Sequence, residues 1–243
     1  MKKRPIGLKR VKTSKQKKMA PENQLKEKLT LPNSFDHAQM CAFPPGLHLL
    51  DTAHLFSPIP LYRWQQDILA AAALPHSRVV TSTPNESGKT SVLAPLFLLG
   101  IMLAFPGAMC YTTSGSEQQV KEQLFVNQLM PIVSRFPGWK ISTASMTVDA
   151  PNGSRLVGYR CVDPGKVEGF HGYMDYDRKG KPRYRPCAYF IDECKTVEDP
   201  IHNAIRRIDP DFMLALSTPG PSRGWFYSGI DPDDLDQRGL VGH

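Results

Sequence analysis

From Leu61 onward the apolar residues alternate between helical stripes and short strand-like runs. Leu61 to Leu74 (LYRWQQDILAAAAL) carries Trp64, Ile68 and Ala71 or Ala72 at helical spacing and stops at Pro75, which predicts an amphipathic helix. The stretch Val79 to Ser91 opens with β-branched residues suited to a buried strand. It then crosses a polar turn and reaches Gly88-Lys89-Thr90 at the head of an apolar run. That run, Val92 to Phe105, falls short of the roughly 20 residues that cross a bilayer, so it predicts a buried helix. Pro95 should kink it unless the backbone adapts.

Gly107 to Thr113 reads as a second buried strand and Glu117 to about Phe136 as a helix. Between Trp139 and Cys161 short segments with a turn at Pro151-Asn152-Gly153 predict an antiparallel hairpin or strand pair. Val162 to Pro186 is loop-rich and dense in glycine, charge and tyrosine; excursions of that length in a compact domain usually carry function. Cys187 to Ile191 is fit for a buried strand, Asp199 to Ile208 for a helix, and Asp211 to Gly220 for a strand ending in small polar residues. This alternation of strand and helix predicts an α/β fold, a mainly parallel sheet flanked by helices with right-handed connections.

Composition adds limits. A chain of 243 residues, 41% of them apolar, can bury a full core. The net charge of +7 misleads, because Met1 to Lys28 holds eleven Lys or Arg against Glu22 and Glu27, leaving the remainder at −2. Residues 1–30 therefore read as a basic, disordered tail able to hold phosphate backbone weakly, and 31–60 as an irregular approach. Residues 61–230 form the folded domain and 231–243 a linker. Cys41, Cys110, Cys161, Cys187 and Cys194 are odd in number and lack C-x₂-C spacing, which argues against a disulfide framework or a zinc site and fits a reducing cytoplasm. The tail has no apolar segment of the secretory type.

Two stretches carry chemistry. In a strand–turn–helix unit the backbone N–H groups of the turn and the helix N-terminus face an anion, and a residue without Cβ, here Gly88, lets phosphate approach closely. Lys89 can then reach the β- and γ-phosphates and the Thr90 hydroxyl can ligate Mg²⁺, with Thr83, Pro84, Asn85, Glu86, Ser87 and Ser91 completing the nucleotide-binding turn. Thr83 stands where the phosphate-loop pattern has its first glycine, and an ordinary turn before a buried helix would look alike. The second stretch, CAYFIDEC, puts Asp192 and Glu193 at the end of a core strand, a costly placement without a ligand. Asp192 would hold Mg²⁺, directly or through water, opposite Thr90, and Glu193 would orient and deprotonate the water attacking the γ-phosphate. Gln65, beside Trp64, has the donor and acceptor that pair with adenine. Ser217-Thr218-Pro219 lies at the same strand edge, where short hydroxyls can sense the γ-phosphate.

With these elements in this order, the sequence from roughly Leu61 to Gly229 resembles the ATPase half of the large terminase subunit of tailed bacteriophages, the motor that drives double-stranded DNA into a prohead. Gln65 matches the family's adenine-binding glutamine, and TPNESGKT (Thr83 to Thr90) matches a degenerate Walker A. TTSGSEQQ matches the segment that follows, and YFIDE (Tyr189 to Glu193) matches Walker B. Ser217, Thr218 and Pro219 match the coupling motif, Gly224 to Tyr227 the G-x-F-Y element behind it, and Val167 to Gly172 the loop ahead of Walker B.

The resemblance implies an ASCE/RecA-like P-loop ATPase using ATP and Mg²⁺ in the host cytoplasm, with no membrane association. It also implies a homo-oligomeric ring, with duplex DNA, the portal of the prohead and a small terminase subunit as partners. Three departures stand out. Asn85 and Glu86 occupy a turn where many members place an arginine, so the charge-compensating arginine would be Arg160 or Arg223, acting on a neighbouring subunit if not on its own. Pro95 interrupts the helix after the phosphate loop. The family's nuclease half has no counterpart here, and DPDDLDQ (Asp231 to Gln237) reads as linker rather than a catalytic cluster. The alternatives are a helicase-like ATPase stimulated by nucleic acid, or a fragment that binds nucleotide without turnover.

Overall fold

The computed structural model of the chain describes residues 40–57, 59–160, 171–176, 179–220 and 223–230. The basic tail, Cys161, the start of the VEGFHG stretch and the acidic DPDDLDQ run lie outside the described residues.

The strands are β1 (Ser77–Ser82), β2 (Met109–Thr113), β3 (Lys140–Ser142), β4 (Thr147–Asp149), β5 (Arg155–Gly158), β6 (Tyr173–Tyr176), β7 (Pro182–Arg185), β8 (Cys187–Ile191) and β9 (Phe212–Ser217). Seven form one sheet in the order β1-β9-β8-β2-β5-β4-β3. The run from β1 to β5 is parallel throughout. β4 and β3 extend it antiparallel, which is where the expected hairpin over residues 139–161 sits. The loop-rich stretch holds a separate antiparallel ribbon of β6 and β7 that the sequence reading missed.

Helices cover both faces: α1 (Ala53–Phe56), α2 (Arg63–Ala72), α3 (Ala94–Ala104), α4 (Met130–Val133), α5 (Asp199–Ile208) and α6 (Trp225–Ile230). Side chains alternate across the sheet, so β8 divides its residues between two cores. Ala188 and Phe190 join α2 and α3 on one face, while Tyr189 and Ile191 meet Ile201, Ile205 and Phe226 of α5 and α6 on the other. A central strand buried on both faces must be apolar at every position, as CAYFI is.

The approach before Leu61 is not merely irregular. Cys41, Leu49 and Phe56 belong to the core, and Leu49 lies so close to Gly100 of α3 that a Cβ there would stand 2.6 Å from Leu49 Cδ2. Beside Pro95 the backbone adapts upstream. A π-helical turn, Lys89–Leu93, precedes α3: the Leu93 N–H donates to the Gly88 carbonyl at 3.0 Å, and Pro95 falls in the first turn of α3, where a missing N–H is tolerated. The helix expected over 117–136 forms as a π-wound stretch, Gln119–Leu129, running into α4. No described helix is long and apolar enough to cross a membrane.

Candidate nucleotide site

β9 lies between β1 and β8 in register, so the turns leaving β1, β8 and β9 emerge side by side at the carboxyl edge of the parallel strands. Ligands of open parallel sheets bind at that edge. The turn after β1 is joined to the end of β9 by the Thr83 N–H donating to the Ser217 carbonyl at 2.9 Å. Gly88 adopts a left-handed conformation, φ 86°, and an added Cβ would stand 2.9 Å from Gln65 Nε2, so only glycine fits the loop beside that amide.

Lys89 is 6% exposed and donates through Nζ to the Pro84 carbonyl at 2.8 Å, which folds the lysine over its own loop. The Thr90 hydroxyl donates to Asp192 Oδ2 at 2.6 Å, uniting the two stretches that the sequence singles out. Asp192 Oδ1 accepts from the Glu193 N–H at 2.9 Å. Burial pushes the Asp192 carboxyl above its usual range; the bonds from Thr90 and Glu193 N–H and the nearby Lys89 charge pull it back.

Glu193 stands at φ 45°, a left-handed position unusual for a residue with a side chain, and this starts a sharp turn after Asp192. Glu193 Oε2 accepts from Ser217 Oγ at 3.2 Å and lies 3.8 Å from Lys195 Nζ. Lys195 Nζ in turn donates to Thr218 Oγ1.

Two cavities meet at the loop, both lined by Glu86 and Ser87. The polar one, about 330 Å³, is walled by the loop from Asn85 to Ser91 and by Glu193. The other, about 1130 Å³, is largely apolar, with Trp64, Ile68, Ala71 and Pro84 among its walls. Gln65 is buried beside the loop: its Oε1 accepts from the Tyr62 N–H at 3.0 Å and its Nε2 donates to the Ser87 carbonyl at 3.1 Å. Each end of the amide thus already holds one backbone partner.

Several contributors escaped the sequence reading. Gln123, Asn127 and Gln128, from the π-wound stretch, line the polar cavity. The signal was present: amides at i, i+4 and i+5, off the stripe of Val120 and Leu124 that packs inward. Lys195 was missed too, although it follows the acid pair by two residues. Arg160 and Arg223 are both exposed and neither lines the polar cavity, so the structure does not bring either to the loop. The Gly224 to Tyr227 segment docks on the start of α5, with the Trp225 N–H donating to Asp199 Oδ1 at 3.0 Å and the indole stacked on His202 at 3.9 Å.

The donor set fits a magnesium ion with a triphosphate. A hydroxyl and a carboxylate, both hard oxygen donors, converge at Thr90 and Asp192, and Mg²⁺ is commonly held by one or two carboxylates plus substrate phosphates. Thr83 Oγ1, in the same loop, is buried without a hydrogen-bond partner.

No sequence-family profile and no curated protein matches the chain. Solved structures do. The large terminase of a thermophilic bacteriophage, in complex with ADP, aligns with a TM-score of 0.55 at 16% identity, over 76% of this chain and 45% of that one. A second crystal form of that terminase aligns with a TM-score of 0.56 at 14% identity, over 76% and 45%. The form with ATP-gamma-S aligns with a TM-score of 0.55 at 16% identity, over 76% and 44%. The chain thus spans less than half the length of these terminases. Over the aligned part the chain shares the fold of these large terminases, a mostly parallel sheet flanked by helices.

Proposed function

We propose that this chain is a magnesium-dependent, ATP-hydrolysing motor domain that powers movement of viral double-stranded DNA into a prohead. The observation that carries the reading is the 2.6 Å bond from Thr90 to Asp192 beside the buried Lys89, which brings a cation and a pair of hard oxygens to the loop that walls the polar cavity. The thermophilic phage's terminase, of the same fold, was solved with ADP and with ATP-gamma-S, which supports a nucleotide as ligand.

In this reading the loop amides from Asn85 to Ser91 cradle the phosphates. Lys89 leaves the Pro84 carbonyl for the β- and γ-phosphate oxygens and stabilises the charge that develops on the transferring phosphoryl group. Thr90 and Asp192 would hold Mg²⁺, which would supply positive charge against the phosphates. Glu193, on the cavity wall, orients the attacking water and accepts its proton. Gln65 and the apolar cavity take the adenine, and Ser217, Thr218 and Pro219 relay phosphate release to the DNA-gripping surface. Arg160 or Arg223, exposed on the surface, completes the site of a neighbouring protomer in a ring. The DNA, the prohead portal and a small terminase subunit are the partners, met in the host cytoplasm.

ATP turnover measured with and without linear duplex DNA tests this. Wild-type protein should hydrolyse ATP faster with DNA, Lys89→Ala should lose turnover, and Glu193→Gln should lose turnover yet still bind nucleotide. Unchanged hydrolysis in both variants would end the assignment. ATP-dependent strand separation would favour a helicase, and tight ATP binding without turnover a nucleotide-binding fragment.

A further inference from the structure

The acid pair is followed by a short 3₁₀ turn, Cys194–Thr196, that doubles the chain back over the end of β9. The left-handed conformation of Glu193 starts this reversal, and the buried Cys194 anchors it. As a result Lys195 touches three things at once. Its aliphatic stem lies against Gly220, where an added Cβ would stand 3.1 Å from Lys195 Cβ and 3.2 Å from Lys195 Cδ. Its ammonium donates to Thr218 Oγ1. The same ammonium lies 3.8 Å from Glu193 Oε2, the oxygen that also accepts from Ser217 Oγ.

A carboxylate on a flexible stem can point in many directions, and a general base must hold one of them. Among the described residues the Glu193 carboxylate is otherwise held by the Ser217 hydroxyl. The lysine is itself held at both ends, by Gly220 along the stem and Thr218 at the tip, so it can hold the acid in turn. At 29% and 24% exposure, Lys195 and Glu193 are partly withdrawn from water, which makes their attraction stronger than that of a fully solvated pair.

We propose that Lys195 is the positioning residue of Glu193: it fixes the direction of the carboxylate that meets the attacking water and makes that direction depend on Thr218. The inference rests on the hydrolytic role proposed above for Glu193. It also gives the hydroxyl edge of β9 a physical route to the base, because displacing Thr218 withdraws the tip anchor from Lys195 and frees Glu193 to swing.

The test uses the full chain with linear duplex DNA, reading kcat and, separately, the Kd of a fluorescent ATP analogue. Lys195→Met should lower kcat by about 10²-fold, the loss expected when a catalytic group is misplaced by about 1 Å, with Kd unchanged. Lys195→Arg should recover part of that loss. Thr218→Val, which keeps the lysine and removes its anchor, should lower kcat by about tenfold. In a Glu193→Gln background the further change Lys195→Met should alter residual turnover by less than about twofold, because residues acting as a unit are not additive.

A wild-type kcat in Lys195→Met overturns the proposal, as does an equal fold-loss in both backgrounds, which is what a merely structural lysine would give. Wild-type protein without any turnover would instead overturn the hydrolytic reading, and this inference with it.

Discussion

Thr90 and Asp192 stand 102 positions apart in the chain and meet through a 2.6 Å hydrogen bond at the carboxyl edge of the sheet. The bond closes the gap between the phosphate loop and the acid pair. It also leaves Asp192 as a carboxylate that burial disfavours, and this has a measurable sign. Burial raises the folded-state pKa of Asp192 above its ordinary value of 3.8. The folded protein therefore holds its proton more tightly than the unfolded chain does, and stability falls as pH rises from the unfolded value through the folded one. Asp192→Asn should match wild type in urea denaturation near pH 4 and become relatively more stable as pH is raised toward 7. At the same time it should lose ATP turnover by at least about 10²-fold, the scale on which removal of one electrostatic stabiliser acts.

Gln65 links the start of α2 to the phosphate loop through two hydrogen bonds, to the Tyr62 N–H and the Ser87 carbonyl. Truncating it leaves two part-buried backbone groups to find other partners. Gln65→Ala should therefore lower stability by about 1–3 kcal/mol and weaken nucleotide binding together. Chemical denaturation and nucleotide titration on the same sample check this; weaker binding at unchanged stability would show that the amide serves the base alone.

Gly100 marks where the segment before Leu61 rests on α3. Gly100→Ala places a methyl 2.6 Å from Leu49 Cδ2 and should destabilise the fold by about 1–3 kcal/mol, the usual cost of overpacking. Leu49→Ala added to it should restore part of that loss, and nucleotide affinity should stay at the wild-type value. Thermal unfolding of the two single variants and the double variant measures the coupling.

The β6–β7 ribbon is held by Asp175, whose carboxylate takes both Arg183 and Arg185. A backbone bond from Tyr176 and the pairing with Arg185 hold its pKa below the ordinary 3.8. A depressed folded pKa contributes stability that is present above the unfolded value and is lost as pH falls through the folded one. The ribbon should accordingly loosen below about pH 3.8, ahead of the main sheet, and Asp175→Asn should loosen it at neutral pH. Hydrogen exchange over residues 171–185 at graded pH is the measurement.

Much of this was written in the chain, for reasons that differ by element. β8 and β9 were legible because a strand buried on both faces has to be apolar along its length, and CAYFI and the FMLAL of β9 are. The loop was legible because Gly88, Lys89 and Thr90 each meet a separate demand at consecutive positions. The β6–β7 ribbon was not, since YMDY and PRYR follow no apolar alternation and draw their stability from Asp175 with Arg183 and Arg185, and from Tyr184 donating to Asp211 at 2.9 Å. The polar face of Gln123 and Asn127 was hidden because amides on a helix look alike whether they face solvent or a cavity. Lys195 could be recognised only once the turn at Glu193 was known, because the reversal rather than the spacing brings it to Thr218.

β9 is the last described strand of the chain to be made, yet it lies between β1 and β8, both synthesised earlier. Before β9 is made those two strands lack the neighbour that joins them in the sheet, and the loop and the acid pair lack the register that it gives them. The zipper closes when Phe212–Ser217 has left the ribosome and slots in. On the proposed function, a nascent chain should not turn over ATP until nearly all of its described sequence exists, and a ribosome-stalled product ending before residue 212 should be catalytically silent however well its earlier strands have folded.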